Sequence, residues 1–309
     1  MIKKPKKTIQ RRSLLKLLGL AAGGAGLTAA AQKISDEETR QTVVDSLGDL
    51  FQDHFQRMSL EEVKQTLDRL ERKYSQRFAK QVSVSATPAQ PNTLYGYALN
   101  LSRCKGYREC VRACVAENNQ SRDSEIQYIR VMEMPHGSMN LEESDHYYDG
   151  EKVPRDGHWY LPVQCQQCEN PPCVRACPVE ATWQEPDGIV VIDYDWCIGC
   201  RYCAAACPYW ARKFNWTEPS IPAEHMNPET HYLSNRPRIK GVMEKCTFCL
   251  HRVRMGRLPA CQEACPTGAR IFGNLLDPKS EIRYIIENKK VFRLKEELNT
   301  EPKFWYYTD

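Results

Sequence analysis

All fifteen cysteines of this 309-residue chain lie between Cys104 and Cys265, in four short bursts. "CQQCENPPCVRACP" contributes Cys165, Cys168, Cys173 and Cys177. "CIGCRYCAAACP" contributes Cys197, Cys200, Cys203 and Cys207. "CTFCLHRVRMGRLPACQEACP" contributes Cys246, Cys249, Cys261 and Cys265, and "RCKGYRECVRAC" the last three, Cys104, Cys110 and Cys114. Disulfide scaffolds this dense are usually short chains. Thiols two or three residues apart sit on one turn and converge on a point, which suits metal better than mutual pairing.

The third burst matches the bacterial ferredoxin run C-x2-C-x2-C-x3-C-P residue for residue. The second and fourth keep its two ends around longer middles. Three cysteines on a tight loop can wrap three corners of one iron–sulfur cube. The fourth is expected to begin a helix, point away and serve a second cube, so that two runs exchange their last cysteines. Pro178, Pro208 and Pro266 fit a chain turn at that point. A zinc ribbon uses two C-x2-C pairs and no trailing C-x3-C-P. Haem attachment needs C-x-x-C-H, and His251 comes one residue too late after Cys249.

The net charge of +4 is concentrated at one end: residues 1–31 hold seven Lys or Arg and no acid. The remainder is near neutral, with Lys and Arg interspersed among acids as on a solvated surface, and nothing points to nucleic acid. "KKPKKTIQRRSLLKLLGLAAGGAGLTAAAQK" has the parts of an export signal: a basic stretch ending in Arg11–Arg12, an apolar run from Leu14 to Leu27, and an Ala29-x-Ala31 site before Gln32. "RRSLLK" looks like the twin-arginine signal, which moves proteins already folded. An uncleaved anchor is the competing reading, but the run falls short of the roughly 20 residues that span a bilayer. Clusters are inserted in the cytoplasm, so their host must cross the membrane folded, and signal and cysteines agree.

Residues 35–58 place Val43, Val44, Leu47, Leu50, Phe51 and Phe55 on one helical face. "SLEEVKQTLDRLERKYSQRF" follows with a Ser59/Glu62 capping box and a stripe of Val63, Leu67, Leu70, Tyr74 and Phe78. The pair reads as a helical hairpin packed on the body, with a clamp for a partner subunit as the alternative. "VSVSATPAQPN" reads as an extended linker. "TLYGYALNLSRC", "HWYLPVQC" and "GIVVIDYDWC" read as strands running into the first three groups, "IQYIRVMEM" as an extra strand, and residues 135–157 as a loop-rich insertion. The tail, residues 276–309, holds no stretch that reads as a membrane helix. Trp183, Trp196, Trp210 and Trp216 lie near the cysteine loops, where packing that keeps water out is preferred to electron relay.

On these residues the chain resembles the four-cluster, ferredoxin-type electron-transfer subunits of bacterial respiratory complexes, such as those of nitrite, polysulfide, sulfite and tetrathionate reductases and of hydrogenases. "PPCVRACPVEATWQEPDGIVVIDYDWCIGCRYCAAACPYWARKFNW" carries the most specific likeness. The resemblance implies an α+β fold of tandem bacterial-ferredoxin-like units with an N-terminal helical extension. The resemblance covers about residues 93–275 and leaves 34–90 outside; the whole chain divides into a signal (1–31), an extension and linker (32–90), a first group with strand and insertion (91–164), the second and third groups (165–240), the fourth group (241–275) and a tail (276–309). The resemblance also implies ligand exchange between the second and third groups, and between the first and fourth. Cys165, Cys168, Cys173 and Cys207 then hold one cubane; Cys197, Cys200, Cys203 and Cys177 its neighbour; Cys246, Cys249, Cys261 and Cys114 a third. Cys104, Cys110 and Cys265 remain for the fourth.

The family's first group reads C-x-G-C-x-x-C-x-x-x-C, and here Tyr107 stands at the second cysteine with Gly106 in register. Three outcomes stay open: a [3Fe–4S] cluster on three thiolates, a [4Fe–4S] cluster with Tyr107 oxygen or water on the fourth iron, or no cluster. A phenol ionises near pH 10, so iron must hold it strongly. The expected cofactors are three [4Fe–4S] clusters plus one atypical cluster. No substrate pocket, nucleophile or acid/base pair stands out, so the chain is expected to be a non-catalytic electron-transfer subunit at the periplasmic face of the cytoplasmic membrane, held there by partners. The resemblance implies electron relay from a quinol-oxidising polytopic membrane subunit to an exported terminal reductase, a molybdopterin enzyme or a multihaem cytochrome. Reverse flow, from a periplasmic hydrogenase or other dehydrogenase to the quinone pool, is the alternative. A structural zinc protein and a free soluble ferredoxin are the other classes.

Overall fold

The computed structural model describes residues 3–5, 55–123, 126–141 and 144–309. The export signal beyond Lys3–Pro5 and nearly all of the first anticipated helix lie outside these residues. Chain contacts define a small unit, residues 1–64 with 178–180, and a large one, residues 65–177 with 181–309. In the small unit Lys3–Pro5 pairs antiparallel with Phe55–Arg57. Phe55, expected on a helical face, is therefore in a strand, because a distant segment supplies its backbone with ladder partners. The capping box forms as its spacing predicts: Ser59 N donates to Glu62 Oε2 at 2.9 Å and Glu62 N to Ser59 Oγ at 3.3 Å. It opens the helix Leu60–Phe78.

In the large unit that helix buries Leu70, Tyr74 and Phe78, and the Tyr74 hydroxyl donates to Pro237 O at 3.3 Å. Three of the five stripe residues are thus core, while Val63 and Leu67 are half-buried. The expected linker is partly a strand, since Ser83–Ser85 pairs in parallel with Glu229–His231. Among the described residues no helix is long and apolar enough to cross a membrane.

A four-stranded sheet runs in the order Arg270–Asn274, Tyr95–Asn100, Phe304–Tyr307, Val291–Phe292. Every residue of the central Tyr95–Asn100 strand is buried. Strand alternation divides the sheet into two faces. Ala98, Ile271 and Tyr307 pack against Ile282 and Ile285 of the helix Glu281–Asn288. On the other face Tyr97, Phe272 and Phe304 share register, with Tyr97 stacked on Phe304 at 5.0 Å and Phe248 set edge-on to Phe272 at 5.5 Å. Arg270, two residues before Phe272, falls on this aromatic face, which looks toward the fourth cysteine group: the Tyr97 hydroxyl lies 3.3 Å from Cys261 Sγ. The tail does more than lack a membrane helix, since it supplies the strand Phe304–Tyr307.

The anticipated strands form as Arg130–Pro135 paired with His158–Val163, and Val190–Ile192 paired with Thr182–Gln184. The expectation of solvated cations fails for several arginines. Arg254 is buried against Asp187 (2.8 Å) and Glu185 (3.1 Å), Arg238 against Glu244 (3.2 Å), and Arg252 against Glu117 (2.8 Å). A guanidinium presents a fixed fork of donors, so several acceptors can satisfy it out of water. Glu117 and Arg252 tie the first cysteine group to the fourth; removing one partner of such a pair costs about 3–5 kcal/mol.

Candidate metal centres

The four cysteine loops share one backbone device. The residue before the second ligand position is left-handed in each: Gly106 (φ 77°), Gln167 (45°), Gly199 (74°) and Phe248 (52°). This conformation is strained for side chains other than glycine. The first and third loops match further, because Arg108 and Arg201 are both left-handed helix caps, at φ 59° and 67°. Tyr107 therefore occupies in the first loop the place that Cys200 occupies in the third.

The third cysteine of each of the other groups lies on a single helical turn: Cys173 in Pro172–Arg175, Cys203 in Tyr202–Ala205, Cys261 in Ala260–Glu263. The trailing Cys177, Cys207 and Cys265 lie just past that turn and do not begin a helix, which corrects the sequence expectation. A proline follows each one, and the residue before a proline is driven out of the α region. Cys114 is followed by Val115, and there the helix Glu109–Glu117 runs straight through the cysteine.

All fifteen thiols are free of disulfides. Cys165, Cys168, Cys173 and Cys207 line one cavity together. Cys104, Cys110 and Cys265 line another, with Tyr107 and Arg270 in its wall. Cys114, distant in sequence, has Cys249, Cys246 and Cys261 as the thiols that act on it most strongly. Cys203 is acted on by Cys197 and Cys177, and Cys200 lies in the loop between Cys197 and Cys203. Burial pushes Cys104 and Cys203 up to about 11, and Cys168 and Cys249 up to about 12. Cys265 goes the other way: burial raises it, but hydrogen bonds from Thr267 and Ala269 outweigh that and lower it. Buried thiols that resist ionisation are suited to a metal, which replaces the proton and removes the penalty.

Polar groups that spacing alone does not flag stand against these sulfurs. Arg212 Nη2 donates to Cys173 Sγ at 3.0 Å and to Thr182 Oγ1 at 2.9 Å. Its Nε and Nη1 are buried without a partner. Arg270 donates through Nη2 to Cys110 Sγ at 3.5 Å and through Nη1 to Gln164 Oε1 at 2.8 Å. Neutral amides serve Cys114: Asn118 Nδ2 at 3.5 Å and Gln120 Nε2 at 3.3 Å from Sγ. A backbone amide, Met243 N, is 3.5 Å from Cys197 Sγ. A repeat could have flagged the arginines, since C-P-x-x-A-R occurs at Cys207–Arg212 and again at Cys265–Arg270. Unpaired guanidinium nitrogens in a buried site call for a buried anion. A thiolate-ligated iron–sulfur cluster is such an anion, and the donor sets fit it.

The insertion covers the first loop. The Tyr148 hydroxyl donates to Gly106 O at 2.8 Å, and Arg108 Nη1 donates to Tyr148 O at 3.0 Å. The tryptophans behave less uniformly than expected. Trp210 is 48% exposed and Trp216 63%, so these two do not seal a core. Instead they carry guanidinium groups, Arg130 over Trp210 at 5.1 Å and Arg201 over Trp216 at 4.7 Å.

Cysteine loops of this form, interleaved in space and backed by buried donors, define a ferredoxin-type iron–sulfur protein. A family model described as a 4Fe-4S dicluster domain matches residues 157–226 and 232–275, which leaves the first group outside the match. The chain is 34% identical over 317 residues to a selenate reductase subunit of Mesobacillus selenatarsenatis, an alignment covering 99% of each chain. It is 44% identical over 216 residues to a putative dimethyl sulfoxide reductase iron-sulfur subunit of Halobacterium salinarum, covering 69% of this chain and 79% of that one. It is 39% identical over 236 residues to the iron-sulfur cluster-binding subunit of a menaquinone reductase from Nitratidesulfovibrio vulgaris, covering 69% and 88%. The chain belongs to this family of 4Fe-4S iron–sulfur subunits of oxidoreductases.

Proposed function

We propose that this chain is an electron-relay subunit, passing single electrons between a quinol-oxidising polytopic membrane subunit and a terminal reductase at the periplasmic face, after export by the twin-arginine route. The four thiol sets named above are its cluster ligands: three sets of four cysteines, and a fourth of Cys104, Cys110 and Cys265 with Tyr107 at the missing corner. Two ferredoxin-like units carry them in tandem, and the fourth set holds the atypical cluster. Bound clusters supply one-electron chemistry; the protein fixes their order, their insulation and their charge environment.

The observation that carries this reading is the order of the sets. Cys203 is acted on by Cys173 of the neighbouring set, Cys246 by Cys165, and Cys110 by Cys261. These contacts between sets support an order in which the Cys197, Cys165, Cys246 and Cys104 sets follow one another. Gln167 bridges the middle of that order, donating to Cys246 O at 2.8 Å while accepting from Val190 N at 2.8 Å. A line of redox sites has two ends, which suits a relay with two partners. The relatives named for menaquinone and selenate reductases support a quinone-reactive partner and an oxidoreductase partner in kind.

The test is to purify the native complex from membranes, identify its companion subunits, and count iron and acid-labile sulfide. A membrane subunit, an oxidoreductase subunit and four clusters per chain are expected. A preparation without sulfide, or a chain isolated from the soluble fraction alone, rejects the reading.

A further inference from the structure

Two of the four thiol sets receive a hydrogen bond to sulfur from a buried guanidinium. Arg212 is 6% exposed and Arg270 3%. Among the described residues neither has a carboxylate at ion-pair distance, unlike the buried Arg236, Arg238, Arg252 and Arg254. Their charged donors go to sulfur: Arg212 to Cys173, Arg270 to Cys110. Their remaining partners are neutral, Thr182 and Gln164, and Arg270 also lies 5.7 Å over the Tyr97 ring. The side-chain donors to Cys114 of the Cys246 set are the amides of Asn118 and Gln120, and Cys197 accepts from a backbone amide. Lys245, beside Cys246, gives its ammonium to the Cys246 carbonyl oxygen at 2.7 Å rather than to sulfur, although its charge still acts on the Cys246 thiol.

The two arginines are equivalent in position. Each stands five residues after a trailing cysteine, in Cys207–Arg212 and Cys265–Arg270, and each bonds another cysteine of the set which that trailing cysteine joins. At the matching place after Cys177 the residue is Thr182, and after Cys114 it is Asn119. The sets with and without such an arginine therefore alternate along the line: Cys197 without, Cys165 with, Cys246 without, Cys104 with. The field of Arg212 also reaches Cys203 of the neighbouring set, more weakly than it reaches Cys173.

We propose that Arg212 and Arg270 are potential-setting residues, each raising the reduction potential of the cluster whose cysteine it contacts above that of the next cluster in its pair. A reduced cluster carries one more negative charge than an oxidised one, so a fixed cation in a site of low dielectric favours reduction. The Cys104 set also lacks one thiolate, which acts in the same direction. Within the pairs, the Cys104 set then lies above the Cys246 set and the Cys165 set above the Cys197 set.

This inference rests on the relay reading, and the two fail separately: iron and sulfide counts test the reading, midpoint potentials the inference. The experiment is an equilibrium redox titration of the native complex followed by EPR, for the wild type, Arg212→Gln, Arg212→Lys and Arg270→Gln. Signals are assigned by those altered in Cys168→Ser, Cys200→Ser, Cys104→Ser and Cys249→Ser. In Arg212→Gln the Cys165-set midpoint falls by at least the equivalent of tenfold in the reduction equilibrium, about 59 mV for one electron, while the Cys197-set midpoint moves less. Arg212→Lys recovers part of the fall, and Arg270→Gln repeats the pattern at the Cys104 set. Equal shifts in all clusters, or no shift with clusters intact, overturn the proposal. Should the glutamine variants fail to load clusters, the wild type alone decides: midpoints in which the Cys104 set does not lie above the Cys246 set, or the Cys165 set above the Cys197 set, overturn it as well.

Discussion

The loops Cys104–Cys114 and Cys197–Cys207 follow the same course with a different residue at one position. Both carry a left-handed glycine and a left-handed arginine cap, yet one presents Cys200 where the other presents Tyr107. What holds them also differs. A side-chain carbon added to Gly199 would sit 2.2 Å from the backbone carbonyl oxygen of Gly241, whereas one added to Gly106 would sit 2.4 Å from the Tyr160 ring. The third loop is backed by main chain. The first is backed by aromatic side chains, Tyr160 and the Tyr148 of the insertion. The lesson is that loop shape and cysteine count are separable: the turn persists where one cysteine is absent.

Ligand exchange tests this most severely. Cys200→Ala removes a thiolate where the backing is rigid, and loss or conversion of one cluster signal is expected by EPR and iron count. Tyr107→Cys supplies a thiolate to a loop already shaped for it. The atypical signal is then expected to give way to a low-potential [4Fe–4S] signal, and an unchanged spectrum would show that the two loops differ in more than the ligand.

Glycine replacement comes next. Gly199→Ala meets a backbone carbonyl that cannot swing aside, and adds a left-handed penalty of about 1–2 kcal/mol; a total loss of about 3–4 kcal/mol is expected in urea unfolding of the cluster-loaded chain. Gly106→Ala meets the buried Tyr160 ring, whose hydroxyl is held by Glu133 Oε2 at 3.0 Å and by Arg155 N at 2.9 Å; relief there needs a side-chain rather than a main-chain shift, and a smaller loss of about 2–3 kcal/mol is expected. Equal losses would contradict the contrast in backing.

The caps give the smallest effects. Arg108→Ala removes donation to Tyr148 O and to Gln127 at 3.3 Å, a loss of about 1–2 kcal/mol for two hydrogen bonds. Arg201→Ala removes stacking over the exposed Trp216 and over Phe214 at 5.5 Å, about 0.5–1 kcal/mol. A double variant, Arg201→Ala with Trp216→Ala, is expected to lose little more than either single one.

Much of the chemistry was legible in the residues themselves. C-x2-C and C-x3-C-P spacing names the donor type and the loop, Gly106 marks the register that exposes Tyr107, and Ser59 with Glu62 marks a helix start. These are local features, governed by neighbours a few residues away. Other parts were not legible for the same reason. Phe304–Tyr307 reads as an aromatic tail until Tyr95–Asn100 offers it a parallel partner more than two hundred residues upstream. Trp216 reads as core until its position turns out to be outward. The trailing cysteines read as helix starts, yet the proline after each keeps its backbone out of the helical region.

The sequence alone settled which atoms are available to bind metal, and that one loop is short of a thiolate, because ligand type and turn geometry are properties of a few adjacent residues. Only the folded chain decided that Arg212 and Arg270 reach sulfur while other buried arginines reach carboxylates. Burial and charge environment depend on segments far apart in the chain, and these meet only once the sheets and loops have packed.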